Sequence, residues 1–295
     1  MPYPVLQLES DSAETIEQLG SKPKFWFRVK GDDRPWLFKF ARPETGEDWA
    51  EKIAAGIAGL IGLPHGEIEL AAFMGKRGSA TPSFAAKGHD LIHGNEILAG
   101  HILRYDAEKR FRQSDHTFGR IVKAFYDIFP DGPARRESLT TLAGYIVLDA
   151  VICNTDRHHE NWALLRSSSP SGQTIHRIAP TFDHASSLGR ELRDEKRMAL
   201  LKGKRILDYV KKGEGAIYFK ETDAKGANPL DLGIWAATVH PSYFEVWLNR
   251  LKNIAVEELE MLIFNIPDDR MSPPAKEFAI AILKCTTQRL SEITL

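Results

Sequence analysis

The sequence has 295 residues, 43% of them hydrophobic, and a net charge of −1 at pH 7, enough chain and apolar content for one bilobal domain or two small ones. Near-neutral charge excludes a globally charge-driven nucleic-acid or membrane binder, so direct nucleic-acid contact is not expected. Two cysteines, Cys153 and Cys285, are too few for a disulfide framework. The amino terminus lacks a basic stretch leading into an apolar core, and no run approaches a membrane span, so a cytoplasmic protein with reduced thiols is expected.

Residues 1–20 carry little pattern beyond a short helix around 13–19 that stops at Gly20. Gly20-Ser21-Lys22-Pro23-Lys24 then stands directly before the first strand of a hairpin. It matches neither G-x-x-x-x-G-K-[ST] nor G-x-G-x-x-G. One reading is a loop whose glycine and lysines meet anionic oxygens; the other is an entry turn with solvated lysines. The hairpin covers 24–30 and 36–40. In its second strand the period of two puts Trp36, Phe38 and Phe40 on one face, and Leu37, Lys39 and Ala41 on the other. Lys39 is therefore either an edge residue reaching water or a buried charge with an anionic partner.

A helix follows, opened by Thr45 as N-cap with Asp48 three residues on and closed by Gly62 and Pro64. Past Lys52 it carries no charge, and its apolar residues wrap most of the circumference, so it should be packed on several sides. Glu51 lies at its polar end, with Glu47 one turn away. Two further strands are expected at 67–73 and 83–87, joined by a basic turn at 75–79. From Asn95 the pattern becomes helical: 95–105, 115–129, 138–153, 241–252, 255–264, and a last helix opened by Ser272-Pro273-Pro274. Strand-rich residues followed by a helical remainder indicate an α+β fold.

The organising stretch is 149–183. An apolar helix breaks into Asn154-Thr155-Asp156-Arg157-His158-His159-Glu160-Asn161, and a hairpin then leads to Thr181-Phe182-Asp183. Asp156, Asn161 and Asp183 should meet at one end of this ribbon. One carboxylate to orient an attacking hydroxyl, with an amide and a second carboxylate to hold Mg²⁺ on phosphates, is the set that ATP-dependent phosphoryl transfer requires. A lysine on a small-lobe strand and a helix glutamate to pair with it complete the set, and Lys39 and Glu51 have that order.

Asp156-Arg157-His158-x-x-Asn161 followed by Phe182-Asp183 resembles the catalytic and metal-binding segments of HipA-like serine/threonine kinases, and the same D-R-H-x-x-N string appears in phosphatidylinositol kinases. The resemblance implies a bilobal protein-kinase-like fold, with a small β-rich N-lobe (1–90) and a larger α-helical C-lobe (91–295). It also implies ATP and Mg²⁺ as cofactors, Asp156 as the catalytic aspartate with His158 in the same loop, and Asn161 and Asp183 as metal ligands. Lys39 and Glu51 would fix the nucleotide, with Ser21 and Lys22 in the covering loop and Ser21 a candidate for autophosphorylation. Family members often act as toxins restrained by a small DNA-binding antitoxin, and many carry an extra N-terminal subdomain. Here the strand lobe begins within thirty residues, as in shorter members.

The stretch 189–212 holds nine Lys/Arg against four acids, a local charge of +5, either a solvated face or a docking surface for a phosphorylated, acidic or nucleic-acid partner. The leading function is phosphorylation of a protein serine or threonine, and a lipid kinase is the alternative, although no membrane-docking element stands out. Two other classes compete. One is a zinc protein using Cys153, His158, His159, His176 and His184, whose spacings match no common signature. The other is a kinase fold without activity that serves as a binding module.

Overall fold

A computed structural model of the chain describes residues 1–9, 15–16 and 23–295. Its first part is a six-stranded sheet in the order β1-β5-β6-β4-β3-β2, formed by β1 (Val5–Leu8), β2 (Thr15–Ile16), β3 (Lys24–Arg28), β4 (Pro35–Phe40), β5 (Glu69–Phe73) and β6 (Lys76–Pro82). The period-two reading of the hairpin holds, with Phe25, Phe27, Trp36 and Phe38 buried in one aromatic cluster on one face of the sheet. Lys39, in the alternate phase, is left on the opposite side. Thr15 and Ile16, expected in a short helix, pair instead with Phe25 and Trp26 of β3. The remainder of that expected helix lies almost wholly outside the described residues.

Two further expectations are corrected. The strand placed at 83–87 is β6, seven residues earlier, and the basic residues assigned to a turn are its first half. The true turn is only Met74-Gly75, both at positive φ (49° and 76°), the two-residue hairpin geometry that matches strand twist. The signal was hidden because β6 is built of small residues where β4 is aromatic. A Cβ on Gly78 would lie 2.6 Å from the Phe38 ring, so the small residue makes room for the large one. Thr45 is also not the helix N-cap: Gly46 takes that position, and the Thr45 hydroxyl donates to the Arg42 carbonyl.

Helix α1 (Glu47–Leu60) packs under the sheet and against the helical part. The helical part comprises α2 (Gly94–His101), α3 (Phe118–Ile128), α4 (Pro133–Ile152), α5 (Asp194–Lys202), α6 (Ile206–Lys212), α7 (Pro229–Val239), α8 (Pro241–Lys252), α9 (Val256–Phe264) and α10 (Pro273–Ser291). Helix α4 is its axis, buried on nearly every face from Ser138 to Ile152. It begins five residues before the expected start because Pro133 opens it at a first-turn position, where no backbone donor is needed. Helices α5 and α6 fall within the basic 189–212 stretch, one reading of which is a solvated helix face, whereas α7 has no counterpart in the sequence reading. In α7 the apolar residues leave no polar stripe to mark a period, although Asn228-Pro229 is a good start signal.

A second sheet, β7 (Asp90–His93), β8 (Ala163–Ser168) and β9 (Thr174–Ile178), is antiparallel throughout. The expected 163–178 hairpin is its β8 and β9. β7 begins at Asp90, and its partner β8 follows the 154–161 loop. Among the described residues, no helix is long and apolar enough to cross a membrane.

Candidate active site

The site is built where α4 ends. Cys153 takes a left-handed conformation (φ 54°) and turns the chain out of the helix. The next eight residues brace one another. Asn154 donates to Asp149 Oδ1 at 2.8 Å and accepts the Asp156 backbone N–H at 3.1 Å. The Asp156 carbonyl accepts from His158 N at 2.8 Å and from Asn161 Nδ2 at 2.7 Å. With its amide nitrogen committed there, Asn161 has Oδ1 as the group left for an external ligand. The Asp156 carboxyl is partly open to solvent, at 42% side-chain exposure.

Arg157 ties this loop to the second segment. Only 3% exposed, it forks onto Asp149 at 2.7 and 2.8 Å. It also donates to the Asn161 carbonyl (2.6 Å), the Phe182 carbonyl (3.2 Å) and Thr181 Oγ1 (3.1 Å). Burial opposes its charge, but Asp149 outweighs burial and holds the guanidinium above its ordinary pKa. One side chain therefore fixes the backbone before Asp183 against the backbone of Asn161.

Asp183 itself sits at φ 60°, a region sparsely populated by residues with a Cβ and frequent at functional sites. Its carboxylate lies 3.6 Å from Lys39 Nζ. Burial works against the Lys39 charge, yet the Asp183 and Glu51 carboxylates prevail and raise its pKa. Glu51, 2% exposed, accepts the His184 backbone N–H at 2.9 Å and lies 3.6 Å from His184 Nδ1. Burial would raise the Glu51 pKa, but His184 and Lys39 lower it. Lys39 and Glu51 thus share one electrostatic cluster, while the ion pair that Lys39 makes is with Asp183. Glu47, the other candidate, is taken by Arg42 (2.8 Å) and Arg190 (2.6 Å). Arg190 continues to Ser186 Oγ at 3.1 Å, which donates to Asp156 Oδ2 at 3.4 Å.

His158 is buried, with Nε2 3.0 Å from Arg110 Nη2 and 4.0 Å from Asp156 Oδ1. Burial and Arg110 push its pKa down to about 3, so the ring is neutral near pH 7. His159 bonds Tyr105 OH at 2.8 Å. Among the described residues, no group of three or more His, Cys, Asp or Glu is arranged to hold a metal ion. That removes the zinc arrangement and leaves Mg²⁺ unaffected, since it is commonly held by one or two side chains plus phosphate oxygens. Ser21 and Lys22 lie outside the described residues. The basic 189–212 stretch is only partly a solvated face: Arg190 and Arg197 are turned inward, and Arg193, Arg205 and Lys211 pair with Glu44, Asp208 and Asp231.

Sequence reasoning missed Asp149, Arg157, His184, Ser186 and Arg190 as parts of the site. Asp149 did leave a signal: a lone acid inside an otherwise apolar helix needs a buried partner, and Arg157 follows within eight residues.

A strand-rich part, a helical part, and a lysine and acidic cluster at their junction define a kinase-like α+β domain. The chain belongs to the HipA-like C-terminal domain family, whose profile matches residues 17–227. Among solved structures, it is similar to the Helicobacter pylori proinflammatory kinase CtkA, at 21% identity and a TM-score of 0.75, over 97% of this chain and 95% of that one. It is also similar to Shewanella oneidensis HipA, solved with HipB and operator DNA, at 12% identity and a TM-score of 0.55, over 96% of this chain and 68% of that one. At these identities the likeness is one of fold. A search of curated proteins gave no match.

Proposed function

We propose that this protein is an ATP-dependent phosphotransferase acting on serine or threonine hydroxyls of a protein. The observation that supports the reading is the convergence of Lys39, Asp156, Asn161 and Asp183 from separate segments, with Arg157 bonded to the backbone on both sides of the metal-ligand pair. Asn161 Oδ1 and the Asp183 carboxylate are hard oxygen donors and suit Mg²⁺, which when bound neutralises phosphate charge. Lys39 supplies the cation for the phosphates and is kept charged by Asp183 and Glu51. In the transfer, the acceptor oxygen bonds to the γ-phosphorus as the bond to the β–γ bridging oxygen breaks. ADP leaves, and the hydroxyl proton passes to Asp156. Positioning and charge neutralisation carry such a reaction, which suits a site so heavily cross-braced.

The test is incubation with MgATP followed by intact-mass and peptide mapping, beside Asp156→Ala and Asp183→Ala. Phosphate on Ser or Thr in the parent and none in either variant is expected. A parent that neither binds ATP nor gains phosphate refutes the reading. Mapping would also show whether Ser21 is modified, and phosphoinositide vesicles in parallel address the lipid-kinase alternative. HipA assembled with HipB and operator DNA motivates a toxin–antitoxin setting with a small protein partner. That assembly lends no support to the expectation that nucleic acid is not contacted. Growth arrest on expression, relieved by such a partner, is the corresponding test.

A further inference from the structure

A cavity of about 340 Å³ is lined by Thr155, Ser186, Arg190, Tyr209, Lys212 and Gly213 among others. It is separate from the Lys39–Asp183 cluster, none of whose residues lines it, and it reaches Asp156 through the Ser186 hydroxyl. A phosphoryl acceptor needs a placement of this kind: within reach of the carboxylate that takes its proton, and apart from the nucleotide lysine. The volume suits one or two side chains of an inserted chain segment.

Its charges are unequal in availability. Glu191 accepts from Tyr209 OH at 2.8 Å, Lys211 pairs with Asp231, and the Arg190 guanidinium is bonded to Glu47 and Ser186. Lys212 is exposed and has no ion pair among the described residues, and the same holds for Lys202 and Lys204, where the chain passes from α5 to α6. The phenol hydrogen bond leaves the Glu191 charge in place, but the three unpaired lysines outnumber it, so an extended acceptor leaving the cavity meets a net positive charge. Resting on the phosphotransferase reading above, we propose that this cavity is the acceptor site and that it selects a polypeptide serine or threonine flanked by acidic residues.

The experiment uses the full chain, MgATP, and three synthetic peptides, each with one serine flanked by Glu, Ala or Lys. The Glu peptide should be phosphorylated with a kcat/KM about two- to fivefold above the Ala peptide, the range expected for one exposed charge pair, and this preference should fade at high salt. Lys212→Glu should abolish or invert the preference while ATP affinity is unchanged. Lys212→Ala, milder still at an exposed position, should lower it. Gly213 has an ordinary extended backbone (φ −60°, ψ 127°), and a Cβ there would sit 3.4 Å from Thr155 Cγ2. Gly213→Leu should therefore fill the cavity and raise peptide KM without altering ATP affinity. Equal phosphorylation of all three peptides, a preference untouched by Lys212→Glu, or an unchanged peptide KM in Gly213→Leu overturns the inference and leaves the kinase reading standing. ATP binding without transfer to any peptide also overturns it, whereas absence of both ATP binding and transfer defeats the kinase reading and this inference together.

Discussion

Arg157→Leu is the perturbation that best separates architecture from chemistry. The substitution leaves the Asp149 carboxylate, 6% exposed as a side chain, without its guanidinium, and breaking one half of a buried pair costs about 3–5 kcal/mol. The Asn154 amide, still bonded to Asp149 at 2.8 Å, keeps the value toward the lower end. For a chain of this size that is a fall in Tm of about 5–8 °C, readable by calorimetry or denaturant titration. Phosphoryl transfer should fall further than stability accounts for. The carbonyls of Asn161 and Phe182 lose their shared donor, and a misplacement near 1 Å costs on the order of 10²-fold in rate. The double variant Asp149→Leu/Arg157→Leu removes both charges and should recover part of the stability but none of the activity. A loss below about 1 kcal/mol in the single variant, or recovery of activity in the double, would refute the view that Arg157 aligns the two segments.

Asp156→Asn, which preserves shape and loses the base, should lower transfer about 10²- to 10⁴-fold with ATP affinity retained, measured by single-turnover kinetics and calorimetric titration. Lys39→Met should weaken both ATP binding and transfer, and Glu51→Gln should act in the same direction because it removes one of the two carboxylates that keep Lys39 charged. EDTA should abolish transfer and added Mg²⁺ restore it; transfer that persists in EDTA contradicts the assignment of Asn161 and Asp183. His116 is buried, bonded at 2.8 Å to the Ala216 carbonyl and at 3.1 Å to Trp162 Nε1, and burial holds its pKa at about 3. Since the unfolded chain protonates near pH 6.5, the His116 contribution is fully present above about 6.5 and is lost as pH falls toward 3, with a slope of about 1.4 kcal/mol per pH unit. His116→Asn should flatten denaturant-measured stability between pH 6 and 4 by that amount; an unchanged slope would contradict a buried neutral imidazole.

The network from Glu47 through Arg190 and Ser186 to Asp156 joins helix α1 to the 154–161 loop. It accounts for the burial of Glu47 at the start of α1, which amphipathic reasoning would have left in solvent. Asp48 is buried for a parallel reason, held by Arg77 at 2.8 Å and by Arg270 at 2.8 Å, so the first turn of α1 is clamped by four arginines, Arg42, Arg77, Arg190 and Arg270.

Local pattern was enough to mark the hairpin with Lys39, the apolar helix α4, the 163–178 ribbon, and the D-R-H-x-x-N and Phe-Asp strings, because period-two and period-3.6 burial and short polar motifs are written in neighbouring residues. The same pattern left β6 misplaced, since small residues that accommodate an aromatic neighbour carry no signal of their own. What sequence spacing left open was which charges meet. Lys39 pairs with Asp183, Glu51 is held by His184, and Glu47 is claimed by Arg42 and Arg190. Ion pairs act over a few ångströms between residues up to 222 positions apart, so only the packing of the elements that carry them decides which charges meet.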